Sequence, residues 1–237
     1  MALSLRRGPW AAVSVAGRLL AQGKPILLYD DDKREREVDL FFDARLATPA
    51  TLRALRQDAG GLVFLAVPHE IAAAFGLPFL HDLLQEAAPR HPLLARLSAG
   101  GPPYDARSSF SLTLNHRETY TGITDADRAR TVSRFAVLAR LAEGLPDPAH
   151  ALASEFRSPG HVHVCVAARG LLAERRGHTE LAVALAMAAG VGPVLVGAEM
   201  LSEDGGARTV ADAAEWARRN GTVLLRGREV EAALAPP

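Results

Sequence analysis

Disulfides, long apolar runs and an excess of either charge are all missing from this sequence, and each absence closes a class of explanation. The 237 residues include one cysteine, Cys165, so no intrachain disulfide framework can form and a reducing cytosol suits the chain. No run of about 18 apolar residues occurs, so no membrane-spanning helix is expected. Arg6 and Arg7 precede the mildly apolar stretch 9–17 and faintly imitate a secretory signal. Arg18 and Gln22 interrupt it, and no convincing small-residue cleavage site follows, so an amphipathic first helix is the expectation. Lys plus Arg and Asp plus Glu both number 27, giving a formal charge of zero, and nothing resembles the basic stripe of a nucleic-acid binder. These exclusions point to a cytoplasmic protein with no nucleic-acid or membrane partner.

What is present is concentrated early. The segment PILLYDDDKREREVDLFFD, residues 25–43, sets an apolar run before a dense polar turn and then apolar residues again. Asp30, Asp31, Asp32, Glu35, Glu37 and Asp39 repel one another unless a cation sits among them, and a hard cation such as magnesium or manganese takes oxygen ligands. A solvated charged loop is the plainer reading of such a run. The position favours the metal, because the loop leaves a buried-looking strand, where sites on α/β scaffolds gather.

Strands are expected at 26–29, 62–67, 110–114, 162–167, 194–197 and 223–225. Phe110, Leu112 and Leu114 alternate with polar residues, and Val162, Val164 and Val166 oppose His161, His163 and Cys165. Thr48-Pro49 predicts a capped helix ending near Gly60. Thr124 with Asp127 resembles a capping box before a helix toward Leu141. Helices are also expected at 179–189, stopped by Gly190, and at 209–220. The proline-rich patches 89–103 and 145–148 read as surface loops. Strand and helix signals resume after each, so the order implies one α+β domain over residues 1–237, a mixed β-sheet layered with helices.

Several groups could carry chemistry. His161 and His163 lie two apart on one strand, but a zinc site needs further ligands, and Cys165 on the same straight strand lies too far to close a tetrahedron. Ser158-Pro-Gly-His161 instead reads as a turn presenting His161 as a general acid or base. Arg175-Arg-Gly-His-Thr179 precedes a helix. Thr179 can cap it, and free N–H groups beside Arg175 would suit a phosphate, although an ordinary basic loop with an N-cap fits equally well. His178 in that turn could ligate a metal. Glu199 stands at the end of a strand, either functional or the plain start of a loop. The segment 120–128 could bind a polyol or merely cap a helix.

Taken together, these segments resemble the 3,4-dihydroxy-2-butanone 4-phosphate synthases, especially their archaeal forms. The motifs are Asp30–Asp39, Asp58-Ala-Gly-Gly61, Ser108-Ser-Phe-Ser-Leu-Thr, Tyr120–Arg128, Arg157-Ser-Pro-Gly-His161, Gly177-His-Thr-Glu180 and Glu199-Met200, in the family's order from Gly23 to about Val230. The resemblance implies a magnesium-dependent (or manganese-dependent) lyase that turns ribulose 5-phosphate into a four-carbon phosphate and formate. It implies Glu35 and His178 as metal ligands, and Arg34, Asp39, Arg175 and Thr179 as substrate contacts, the last two near the phosphate. It assigns His161 and Glu199 to catalysis, and it implies a homodimer with sites at the subunit boundary.

Five positions depart from the family. Lys33 stands where an acidic residue is usual, Arg36 where a small or amide residue is, and Val38 where glycine or threonine is. Phe64 and Ala198 replace cysteines. Added cations in the acidic loop would weaken metal binding or fill substrate space. A diverged enzyme acting on another sugar phosphate is therefore one alternative, and a non-catalytic sugar-phosphate sensor is another. Retention of both His161 and Glu199 speaks against the sensor, since binding alone requires no acid/base pair.

Overall fold

The computed structural model describes residues 9–235, so Arg6 and Arg7 lie outside the described residues. Seven strands form one mixed sheet. In chain order they are β1 (Ile26–Tyr29), β2 (Val38–Asp43), β3 (Phe64–Val67), β4 (Phe110–His116), β5 (Phe156–Val166), β6 (Leu195–Glu199) and β7 (Leu224–Arg226). Across the sheet they run β4-β5-β3-β6-β2-β1-β7. The pairs β1–β7 and β3–β5 are parallel, and the other neighbours are antiparallel. The expected α+β class with a mixed sheet is what the chain adopts.

Helices cover both faces. They are α1 (Pro9–Ala21), α2 (Pro49–Ala54), α3 (His69–Ala74), α4 (Leu80–Ala87), α5 (Pro92–Leu97), α6 (Asp125–Leu141), α7 (Pro148–Glu155), α8 (His178–Ala189), α9 (Val210–Arg219) and α10 (Gly227–Leu234). On one face Leu27, Leu40, Leu65, Val164 and Val196 meet Leu52, Phe135 and Leu152 from α2, α6 and α7. On the other, Ile26, Leu28, Phe41 and Leu195 meet Leu20, Leu181, Leu185 and Val230 from α1, α8 and α10. With both faces covered, the central strands need apolar residues on both sides, which is why they read as continuous runs. Helix α8 is apolar all round for the same reason, and His178 through Ala186 are all buried.

Several elements differ from their sequence reading. Val38–Asp43 is a fully buried strand, not the tail of an acidic loop, so Asp39 and Asp43 belong to the sheet. Asp43 accepts from the Arg45 backbone N–H and pairs with its guanidinium. Strand β5 begins at Phe156, so Ser158-Pro-Gly-His161 lies within a strand as an irregularity against β4, not as a turn ahead of it. A second register shift, between Phe110 and Thr113, moves Phe110 off the face of Leu114 and leaves it partly exposed. Helix α5 and the first turn of α7 occupy the proline-rich patches. Thr124 caps α6 by accepting from Asp127 N–H, but the Asp127 carboxylate takes the Gly122 N–H, so no reciprocal box forms.

Gly197 is a tight point in the sheet. It stands opposite Phe41 on β2 and Phe64 on β3, whose rings meet edge to face at 5.7 Å. A Cβ at this position would lie 2.5 Å from the Phe41 ring. Gly197→Ala should therefore cost about 1–3 kcal/mol through overpacking, seen as a lower thermal midpoint. Gly144→Ala, where nothing lies within 4 Å, should stay within about 0.5 kcal/mol of the parent.

Candidate active site

A cavity of about 340 Å³ opens where four segments converge. The loop after β1 brings Glu35 and Glu37, and β2 brings Asp39. The end of β6 brings Glu199, and the start of α8 brings His178 and Thr179. Tyr104 and Ser109 from the segment before β4 complete one wall, with Phe64, Phe110 and Cys165 as the apolar floor.

The acidic loop is folded by its own carboxylates. Asp30, buried at the end of β1, accepts from the backbone N–H of Glu35 at 2.8 Å and of Glu37 at 3.2 Å. That closes the loop and turns Glu35 inward. The Glu35 carboxylate meets His178 Nδ1 at 2.9 Å, while His178 Nε2 lies 3.1 Å from the Glu37 carbonyl oxygen and 3.6 Å from Asp39 Oδ1. Burial alone would depress the His178 imidazole, but Asp39, Glu35 and Asp30 outweigh it and push its pKa up to about 10. Burial would raise Glu35, yet His178, Arg175 and Arg34 hold it below the usual carboxylate range. Asp39, Glu37 and Glu199 are all raised, first by burial; the charges of Glu199 and Glu35 add to it for Asp39 and Glu37, and that of Glu35 for Glu199.

This donor set fits a hard divalent cation. Asp30, Glu35 and His178 each offer a ligand atom, and these atoms lie within 4.8 Å of one another. Asp39 Oδ1 is buried with no hydrogen-bond partner. Oxygen donors with one imidazole suit magnesium or manganese. The Cys165 thiol, pushed up to about 12 mainly by burial, stays neutral and offers no thiolate for a softer metal.

The Arg175 end of the cavity is occupied by ion pairs. The Arg175 guanidinium bonds Asp105 and the fully buried Glu180, and Arg34 reaches the same Asp105 carboxylate at 3.2 Å. Both arginines are thus ion-paired within the protein. Gly177 leaves room for this pairing: a Cβ would lie 2.4 Å from the Arg175 guanidinium, which would have to shift from its partners. Thr179 is not the helix cap either. Gly177 holds that position, and the Thr179 hydroxyl meets Ser109 Oγ at 3.3 Å.

Glu35, Asp39, Arg175, His178, Thr179 and Glu199 therefore line one cavity, with Arg34 tied to its wall through Asp105. His161 does not line it. It is exposed on β5, where its backbone N–H donates to Asn115 Oδ1 at 2.9 Å and its Nδ1 lies 3.1 Å from Asn115 Nδ2. Of the departures, exposed Lys33 and Arg36 stay outside the cavity lining, and Arg36 adopts a positive φ of 61° with its Nε bonded to the Asp32 carbonyl. Val38 and Ala198 are core residues, and Phe64 lines the floor. Sequence reasoning did not single out Asp30 as a ligand, nor Tyr104, Asp105 and Glu180. Asp30 carried a signal in its place in the acidic run, and Glu180 in the Gly177-His-Thr-Glu180 motif.

Comparison with known proteins supplies a family. The pattern of 3,4-dihydroxy-2-butanone 4-phosphate synthases matches residues 15–233. The enzyme of that name from Methanothermobacter thermautotrophicus is 39% identical over 92% of this chain and 93% of its own length. The crystal structure of the Candida albicans synthase superposes with a TM-score of 0.70 at 27% identity, over 93% of this chain and 96% of that one. A further synthase structure, in complex with two magnesium ions, shares the fold with a TM-score of 0.68 at 24% identity, over 93% of this chain and 95% of that one.

The Arg175 pairs have a measurable consequence. Arg175→Ala leaves Glu180 buried without its partner and should destabilise the protein by roughly 3–5 kcal/mol. Arg176→Ala, which removes an exposed pair with Glu231, should cost no more than about 1 kcal/mol. Denaturant unfolding of the two variants distinguishes them.

Proposed function

The chain belongs to the 3,4-dihydroxy-2-butanone 4-phosphate synthase family, and from that premise we propose roles for its individual residues. The reaction is a lyase step of riboflavin biosynthesis that converts D-ribulose 5-phosphate into 3,4-dihydroxy-2-butanone 4-phosphate and formate. The two products together contain every atom of the substrate, so no external oxidant or reductant takes part. The observation that carries the assignment is the meeting of Glu35, Asp39, His178 and Glu199 with Arg175 and Thr179 in one cavity.

Glu35 and His178, the latter as its neutral imidazole, would hold a magnesium or manganese ion, with Asp30 beside them. When bound, the ion supplies Lewis-acid stabilisation of negative charge developing on the sugar oxygens. Arg175 and Thr179 take the phosphate, for which Arg175 must loosen its hold on Asp105. Arg34 and Asp39 contact the sugar hydroxyls. Enolisation of the hydroxyketone requires a group that removes a proton beside the carbonyl, and later steps return protons to carbon and oxygen. Glu199, partly buried and raised above the usual carboxylate range by that burial, is suited to take up and release a proton. His161 is its partner in proton transfer.

The separation of His161 from the cavity supports a homodimer. An exposed histidine held by Asn115 on one chain would complete the cavity of the other, so each site would draw residues from both subunits. The protein would be cytoplasmic and act as one domain across residues 1–237. No helix among the described residues is long and apolar enough to cross a membrane.

Purified protein given ribulose 5-phosphate and magnesium should release formate. Excess chelator should abolish the reaction, added magnesium should restore it, and Glu35→Gln should remove most turnover. Formate release undiminished in chelator would overturn the metal role. Shared sites predict complementation. Inactive His161→Ala and Glu199→Gln proteins, unfolded and refolded together, should regain about a quarter of the parental activity, since half the dimers would carry one intact site. A mixture that stays inactive would place each site within one chain.

A further inference from the structure

Glu199 is gripped by a stretch of backbone that the roles above leave unused. Helix α2 runs into a π-turn, Leu55–Ala59, that ends at Gly60 with a φ of 93°. Such turns insert one extra residue and reset the direction in which the following peptide groups point. The chain then wraps the end of β6. Gly60 bridges Met200, Leu201 N–H donates to the Ala59 carbonyl at 2.7 Å, and Gly61 N–H donates to the Glu199 carbonyl at 3.0 Å. The next amide, Leu62 N–H, turns onto the Glu199 side chain and donates to Oε2 at 2.7 Å.

Gly61 makes this approach possible. A Cβ there would lie 2.3 Å from Glu199 Oε2, 2.7 Å from its carbonyl oxygen and 2.8 Å from its Cβ. Two of those atoms are backbone or the root of the side chain and cannot swing aside. Gly60 answers a conformational demand, whereas Gly61 answers a demand for space.

We propose that Gly61 and the Leu62 N–H are positioning elements for the Glu199 carboxylate: the missing side chain at 61 lets the amide of 62 hold Oε2, fixing the carboxylate at the cavity wall. The inference rests on Glu199 transferring a proton in the reaction assigned above. A hydrogen bond to one oxygen fixes the rotation of the carboxylate, and proton transfer is sensitive to errors of about 1 Å, which can cost on the order of a hundredfold. Substrate contacts at Arg175 and Thr179 are made elsewhere and would be unchanged.

The test is a double-mutant cycle on formate release with Gly61→Ala, Glu199→Gln and the two combined, with each thermal midpoint measured alongside. Gly61→Ala should lower kcat by about 10–100-fold with KM within about threefold. In the Glu199→Gln background the same change should cost almost nothing more, because the group it positions is gone. Losses that multiply would show that Gly61 acts through something other than Glu199, and an unchanged kcat would equally overturn the proposal. If Glu199→Gln itself kept its kcat, the catalytic reading of Glu199 would fail instead. Hydrogen exchange on the parent protein tests the grip without substituting Gly61. Leu62 is 37% exposed, so a free amide there would exchange fast. It should be protected in the parent and lose that protection in Glu199→Ala, and fast exchange in the parent would refute the cradle.

Discussion

One buried imidazole holds the cavity together. His178, at the head of α8, touches Glu35 from the acidic loop and stands near Asp39 from β2. Two like charges 4 Å apart repel by roughly 4 kcal/mol at the dielectric typical near a protein surface, so carboxylates gathered this closely need a cation. Without a metal the protonated imidazole supplies one; with a metal bound, His178 would ligate as the neutral ring and the ion would supply the charge. The ring also ties together segments more than a hundred residues apart in sequence, so the loop, the strand and the helix must each be in place for any of them to be correct.

The sheet brings that cost about directly. Asp39 and Glu199 stand opposite each other in the antiparallel pairing of β2 with β6, where like charges are unfavourable. Both are raised above the usual carboxylate range. Stability alone would place an apolar or oppositely charged pair there. The cluster of Arg34, Arg175, Asp105 and Glu180 follows the opposite rule, since two guanidinium groups meet two carboxylates. The cavity thus has a strained acidic half and a satisfied basic half, and the strained half is the one suited to receive a cation.

Local chemistry was readable wherever a few adjacent residues decide the outcome. Thr48-Pro49 and Thr124 start helices as their types predict, and Gly190 stops α8 in the left-handed conformation. Strand β2 was obscured because Asp39 and Asp43 count as loop acids by composition, while their burial depends on partners that come later in the chain. The pairing of Glu35 with His178 spans 143 positions, and no periodicity reports such a contact; only the resemblance to a family linked them. Asp105 carried no signal at all, being a lone acid in a loop whose importance comes from two arginines reaching it. The face of Phe110 was misread because a bulge is set by the partner strand as much as by its own residues.

The partnership of β1 with β7 bears on how the molecule comes to be. Leu27 pairs in parallel with Leu224, and α10, directly after β7, closes the apolar layer over α1 and α8 with Val230 and Ala233. A strand made among the first residues must therefore wait, one edge open, for one made near residue 224. Long-range pairings of this kind slow folding, and unpaired edges invite association while they last. During synthesis the loop leaving β1 hangs from that waiting strand, and charged side chains beside an open edge discourage neighbouring chains from pairing there. The residues gathered for a cation in the finished protein would thus also serve as a guard for the unfinished one.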